Sequence, residues 1–154
     1  MDKKRQYGLF FLLGGMIAVF FIIARPMTFY KMNHLKKETE ITNCIVHVME
    51  REKSNVVSKT ISIHQEQFDE IADLMSAFRY CKVWGKKDHD LLDRTNPIID
   101  IEYLVEGENL FRRISFTGGG YIYIDDELLP YKEVHDNTEH IVLKLENYLE
   151  GIIE

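Results

Sequence analysis

A run of 19 uncharged residues near the amino terminus constrains this chain more than any other feature. Residues 6–24 contain no Asp, Glu, Lys, Arg or His, and Arg5 and Arg25 flank them. A helix of this length rises about 1.5 Å per residue and so spans about 28 Å, close to the hydrocarbon thickness of about 30 Å in a typical bilayer. Because backbone groups inside lipid must hydrogen-bond to one another, the run predicts a single transmembrane helix.

Two other interpretations of this run compete with the anchor, namely a cleaved signal peptide and a helix buried in a soluble core. The apolar part of a signal peptide is about 7–15 residues long and ends in small residues, whereas this run is longer and has Ile22 near its end. A buried helix needs cover on every face, and the rest of the chain is too small to supply it. The pattern therefore favours a retained anchor.

The basic residues near the run predict its orientation. Lys3, Lys4 and Arg5 crowd the short amino end, and basic residues are typical of the cytoplasmic side of a membrane helix. We expect a cytoplasmic amino terminus and a single-pass protein of the cell membrane. Gly14 and Ala18 have the small-xxx-small spacing that favours weak self-association of such helices.

Three segments follow from this organisation. We expect a tail and transmembrane helix over residues 1–25, a polar juxtamembrane stalk over residues 26–40, and an extracytoplasmic domain over residues 41–154. The lipid bilayer is the expected partner of residues 6–25.

The charge of the chain divides at the same place. Residues 32–154 carry 14 Lys and Arg against 24 Asp and Glu, a net charge of −10, whereas residues 1–31 have a net charge of +4. An acidic surface repels phosphate, so nucleic acid is not an expected partner. The acidity fits a basic protein partner or simple solubility.

The periodicity of apolar residues predicts an α+β domain after the stalk. The expected order is β-β-α-β-β-β-α, with strands at 42–50, 56–63, 98–105, 110–117 and 121–125 and helices at 65–79 and 138–151. Such an order predicts a mostly antiparallel sheet with both helices packed on one face.

One hairpin has a predictable register. A turn at Gly107-Glu108 pairs residues whose numbers sum to 215, so that apolar residues meet apolar residues and Glu meets Arg. The predicted pairs are Ile101 with Ile114, Ile99 with Phe116, and Glu102 with Arg113. Gly118 to Gly120 then form a turn into the next strand.

The two cysteines, Cys44 and Cys81, leave two alternatives open. They could form one disulfide outside the cytoplasm, or remain free buried thiols. Two cysteines are too few to define a disulfide framework.

A search for reactive groups finds no catalytic motif. No nucleophile elbow, cysteine-protease signature or zinc-binding spacing occurs in the sequence. We therefore expect no enzyme activity, no cofactor and no metal. An enzyme remains the weakest hypothesis, since it requires a pocket that brings distant groups together, for instance His89 with Asp93 or Tyr80.

The long connection from Tyr80 to Pro97 is the candidate interface. It holds the only Trp, and connections of this length are frequently functional. The candidate partner-binding residues are Trp84, Lys86, Lys87, Asp88, His89 and Asp90. The alternative is an extra edge strand at Cys81 to Trp84 followed by a helical turn at Leu91-Leu92.

The layout resembles that of small membrane-anchored extracytoplasmic domains of Gram-positive bacteria. The likeness rests on the Lys-Lys-Arg start, the apolar helix, the strand Thr60-Ile-Ser-Ile63 that leads into a helix, the strand Tyr121-Ile-Tyr-Ile124 and the terminal helix. The plan is also similar to that of membrane-anchored immunity proteins. The resemblance covers about residues 56–150 and assigns no site residue.

Two functional hypotheses follow. The resemblance and the acidic outer domain favour a membrane-anchored protein-binding domain, an immunity or inhibitor protein that neutralises a toxin or an envelope enzyme by occlusion. The alternative is an accessory or structural subunit whose helix joins a larger membrane complex.

Overall fold

Seven antiparallel strands form one sheet in the described part of the chain. The structure is a computed structural model, and it describes residues 7, 12–18, 25–52, 55–83, 97–125, 130–134 and 141–153. The elements are α1 (Phe29–Met32), β1 (Ile41–Glu52), β2 (Asn55–Ile63), α2 (Gln65–Ser76), β3 (Tyr80–Lys82), β4 (Ile98–Val105), β5 (Arg112–Phe116), β6 (Tyr121–Ile124), β7 (Tyr131–Glu133) and α3 (Ile141–Ile153). The strand order across the sheet is β2-β1-β4-β5-β6-β7-β3.

The structure confirms the predicted α+β class and the predicted register of the β4–β5 hairpin. Ile99 pairs with Phe116, Ile101 with Ile114 and Glu102 with Arg113. The hairpin of β1 and β2 is also present, with His47 opposite Thr60. These registers are fixed because a slip of one residue would turn every buried side chain toward solvent.

The core lies between the sheet and the helices α2 and α3. Alternate residues of each strand point into it, so that Val46, Ile101 and Ile114 are fully buried in three neighbouring strands. The helices contribute Phe68, Ile71, Ala72 and Met75 from α2 and Ile141, Val142, Leu145 and Leu149 from α3. Burial of each large apolar side chain stabilises the fold by about 1.5–3 kcal/mol.

Two short strands, β3 and β7, were not part of the predicted order. Each has three residues, too few to show alternation, and they pair with one another at one edge of the sheet. The edge-strand alternative considered for Cys81 to Trp84 corresponds to β3, which begins at Tyr80. Met27 extends this edge, since its backbone exchanges hydrogen bonds of 2.7 and 2.9 Å with Tyr80.

The segment considered as a stalk contributes side chains to the core. Phe29 and Met32 are fully buried and Leu35 is buried, on and after the short helix α1. They recur every three residues among polar neighbours, and this sparse pattern resembles a polar linker in sequence. The folded core therefore includes residues before 41.

The described residues of the uncharged run, Tyr7 and residues 12–18, are helical and exposed. Leu12, Leu13, Met16 and Ile17 each expose about half or more of their surface. No helix among the described residues is both long and apolar enough to cross a membrane.

The two cysteines are free. Cys44 lies on β1 and Cys81 on β3, which are five strand spacings apart in the sheet. At about 4.8 Å per spacing the separation is about 24 Å, whereas a disulfide requires Cα atoms within about 7 Å. The fold therefore excludes the disulfide, and burial raises the pKa of the Cys44 thiol to about 12.

Candidate functional site

The loop predicted to bind a partner lies outside the described residues. None of Trp84, Lys86, Lys87, Asp88, His89 and Asp90 is among them. The described chain stops at Val83, whose N–H donates to the carbonyl of Pro130 at 2.9 Å, and resumes at Pro97. The loop interface therefore stays a prediction.

Two adjacent apolar residues at the turn between β4 and β5 are largely exposed, and Leu110 is the most exposed large apolar residue of the described domain. Leu110 is 78% exposed and Phe111 is 53% exposed. Gly107 shapes the turn with a φ of +81°, a conformation that residues with a Cβ adopt rarely. We call Leu110 and Phe111 the hairpin tip.

A polar clamp holds the base of the hairpin tip. Glu108 accepts hydrogen bonds of 2.6 and 2.9 Å from Arg112 in a bidentate ion pair. Arg112 also donates to the backbone carbonyl of Asn33 at 3.1 Å. The clamp ties the hairpin to the segment after α1, so the tip is displayed from a fixed base.

A cleft of about 360 Å³ lies at the same end of the sheet. Its lining residues are Lys36, Glu38, Thr39, Glu40, Val105 and Glu106, and we call it the acidic cleft. The N–H of Glu106 donates to the carbonyl of Glu40 at 2.9 Å. This backbone contact brings two carboxyl groups together.

The carboxyl group of Glu40 perturbs that of Glu106. A hydrogen bond with Glu40, followed by repulsion from its charge, raises the pKa of the Glu106 carboxyl. Like charges that share a site disfavour joint ionisation. A basic side chain placed between them would relieve that repulsion, so the acidic cleft suits a Lys or Arg of a partner.

A row of polar side chains crosses the sheet face that points away from the core. The row consists of successive cross-strand neighbours, which are Thr60, His47, Asp100, Ser115 and Tyr123. The His47 ring and the Thr60 hydroxyl are 3.1 Å apart. Ser115 lies two strand spacings from His47, about 9.6 Å, so the Ser115 hydroxyl does not contact the His47 ring directly.

Asp100 is the buried member of the row, with 3% of its surface exposed. Its Oδ2 accepts a hydrogen bond from Arg113, while its Oδ1 has no hydrogen-bond partner among the described residues. A buried carboxylate without its counter-charge is strongly destabilising. We therefore assign the Asp100–Arg113 pair to the stability of the sheet and assign no catalytic step to the row.

In the described ranges, no group of three or more His, Cys, Asp or Glu side chains is placed to hold a metal ion. The acidic residues of the loop, Asp88, Asp90 and Asp93, lie outside those ranges.

The sequence pattern did not reveal the hairpin tip, because Leu110 was included in a strand predicted over 110–117. The strand begins instead at Arg112. The adjacent Leu110-Phe111 breaks the alternation of that strand, and this break is the signal that separates the exposed tip from the buried strand.

Comparisons with protein-family models, with curated proteins and with solved structures find no match to this chain.

Proposed function

We propose that this chain is a membrane-anchored protein-binding domain that neutralises a toxin or an envelope enzyme by occluding it. The observation that carries the proposal is the exposed hairpin tip beside the acidic cleft. Contiguous exposed apolar patches with a polar rim mark interaction surfaces, and the adjacent Leu110 and Phe111 would form the centre of such a patch. Such a surface suits a basic partner with an apolar pocket.

In this proposal residues 6–24 anchor the chain in the bilayer, with the amino terminus in the cytoplasm. Support comes from the uncharged composition of the run and from the exposure of the apolar side chains in residues 12–18. A helix whose apolar residues face outward is not covered by its own domain, and lipid would cover them.

The route of the chain supports the display of the tip away from the anchor. The chain enters the domain at Met27, which pairs with Tyr80. Tyr80 lies level with the β5–β6 turn, at the end of the sheet opposite the β4–β5 turn. Along the five residues of β5 the two ends are about 17 Å apart. Anchoring would thus leave the hairpin tip accessible while raising its local concentration at the membrane.

The energetics favour Leu110 and Phe111 as the anchors of such a contact. Full burial of one large apolar side chain contributes about 1.5–3 kcal/mol, which overlaps the lower end of the hot-spot range that begins at about 2 kcal/mol. The acidic cleft would contribute mainly to association rate and to partner choice, because exposed charges steer binding more than they strengthen it.

A comparative pull-down tests the proposal. The full-length chain in mild detergent is the bait, and native envelope extract is the source of partners. We expect one protein to be captured by the native chain and by the control Leu143→Ser, which changes an apolar residue 42% exposed on α3. Leu110→Ser should reduce capture about tenfold or more, since 1.4 kcal/mol corresponds to a factor of ten.

Two results would contradict the proposal. Equal capture by Leu110→Ser and Leu143→Ser would show that the tip is not the contact. In a second variant, an unrelated transmembrane helix replaces residues 6–24. If this variant lost capture while Leu110→Ser had no effect, the chain would instead be an accessory subunit that assembles through its helix.

A further inference from the structure

The two edges of the described sheet differ in how they are protected. At one edge β3 is only three residues long and is flanked by the backbone of Met27. At the other edge β2 is nine residues long and, among the described strands, has a partner on one side only. A long edge with unpaired N–H and C=O groups is a template for a further strand.

The side chains of the β2 edge are polar on one face of the sheet. Ser58, Thr60 and Ser62 are exposed on the face away from the helices. Cross-strand Thr and Ser neighbours favour one another through hydrogen bonds. An added strand with hydroxyl side chains on this face would match them.

The other face of the β2 edge is acidic. Glu50 lies next to Lys59, with an ion-pair distance of 3.4 Å. Glu146 of α3 lies close enough to Glu50, Glu150 and Lys59 to interact with their charges, so among the described side chains three carboxylates lie near one ammonium group. Partial burial, followed by repulsion from Glu50 and Glu150, raises the pKa of the Glu146 carboxyl. Among the described side chains at this edge, the negative charge is therefore undercompensated.

We propose that the β2 edge binds an extended basic segment of a partner protein as an additional antiparallel strand. Backbone hydrogen bonds to β2 would give affinity, and alternate side chains would give specificity. Lys or Arg residues of the segment would face Glu146 and Glu150, and small polar residues would face Ser58, Thr60 and Ser62.

A second copy of this chain fits the edge less well than a basic segment does. Pairing two β2 strands would bring two sets of Glu50, Glu146 and Glu150 toward each other. Both domains also carry a net charge of −10 over residues 32–154. Like charges across an interface disfavour association.

A binding experiment with designed peptides tests the inference. The probe is a capped octapeptide with four Lys-Thr repeats, labelled for fluorescence anisotropy and added to the full-length chain in mild detergent. We expect saturable binding, and at least tenfold weaker binding of the same peptide N-methylated at alternate residues, because methylation removes strand hydrogen bonds. A peptide of four Glu-Thr repeats should not bind.

Variants of the chain locate the contact. E146Q combined with E150Q should weaken binding of the Lys-Thr peptide by about three- to tenfold, while the control E66Q on the exposed side of α2 should not. Amide hydrogen exchange should show new protection at alternate residues of β2 when the peptide is present.

The hairpin tip is a separate surface, so Leu110→Ser should leave the affinity for this peptide unchanged. Equal binding of the N-methylated peptide would overturn the inference. Protection that falls outside β2, or equal weakening by E66Q and by the α3 double variant, would overturn it as well.

Discussion

Removal of the Arg113 guanidinium tests the contribution of its ion pair with the buried Asp100, on the sheet face that points away from the core. The Asp100 side chain is 5% exposed, whereas the Arg113 side chain is 54% exposed. Breaking a fully buried pair costs about 3–5 kcal/mol, and a hydrogen bond to a charged group contributes about 1.5–3 kcal/mol. Because about half of the Arg113 side chain is exposed to water, Arg113→Met should destabilise the domain by about 2 kcal/mol, which lies in the range for a hydrogen bond to a charged group.

The double variant separates the pair from the general cost of substitution. Asp100→Asn removes the buried charge, so Arg113→Met should lower the free energy of unfolding less in this variant than in the native chain. We expect the double variant D100N/R113M to be less destabilised than the sum of the two single variants by about 1–1.5 kcal/mol. Urea unfolding of the full-length chain in mild detergent, followed by far-UV circular dichroism, measures each free energy of unfolding.

A surface ion pair provides the matched control. Lys37 and Asp73 are 3.3 Å apart, with 70% and 57% of their side chains exposed. Lys37→Met should change the stability by no more than about 0.5 kcal/mol. The reasoning would be refuted if Arg113→Met were no worse than Lys37→Met, or if the costs of D100N and R113M were additive.

Three further predictions test the fold. The buried Cys44, with its raised pKa, should react with a thiol reagent at pH 8 only as fast as the domain opens, whereas Cys81 should react in the folded state. Mass spectrometry of partially labelled chains shows which cysteine reacts first, and simultaneous labelling of both would contradict the burial of Cys44. Ile101→Ala should cost about 2–5 kcal/mol in urea unfolding because Ile101 is fully buried in the middle of the sheet, and a cost below 1 kcal/mol would place it outside the core. Burial, followed by the charge of Asp73, raises the pKa of Tyr30 from 10 to about 12. Because Tyr30 loses its proton at lower pH in the unfolded chain than in the folded domain, the free energy of unfolding should fall from pH 10 to 12. Tyr30→Phe should lessen that fall, and an unchanged dependence of stability on pH would contradict the assignment.

The elements with long, regular patterns could be predicted from the sequence. The β4–β5 register followed from the requirement that Ile99 and Ile101 face apolar partners, and the amphipathic helix α2 followed from its three- and four-residue spacing. The strand β3 could not be predicted with the same argument, because three residues carry no period. Its pairing with β7 depends on contacts between residues about fifty positions apart.

The ends of elements were harder to predict than their presence. The helix predicted over 65–79 ends at Ser76, where the N–H groups of Ala77 and Phe78 donate to carbonyls only three residues earlier. This tightening turns Phe78 and then Tyr80 into the core. Tertiary packing, rather than local propensity, sets that boundary.

The candidate site depends on features that a sequence pattern represents poorly. The acidic cleft joins Glu40 and Glu106 through a backbone hydrogen bond between distant segments. The hairpin tip depends on where β5 begins, a shift of two residues from the predicted strand. The polar row centred on Asp100 required the pairing of β1, β4 and β5 before its members could be recognised as neighbours.

Site-specific photocrosslinking tests the central proposal most directly. A photoreactive phenylalanine analogue replaces Leu110 in the full-length chain in its native membrane, and the same analogue at Leu143 is the control. A protein adduct formed from position 110 and absent from position 143 is the predicted result. Adducts to lipid alone at position 110, or identical protein adducts from both positions, would contradict a partner-binding hairpin tip.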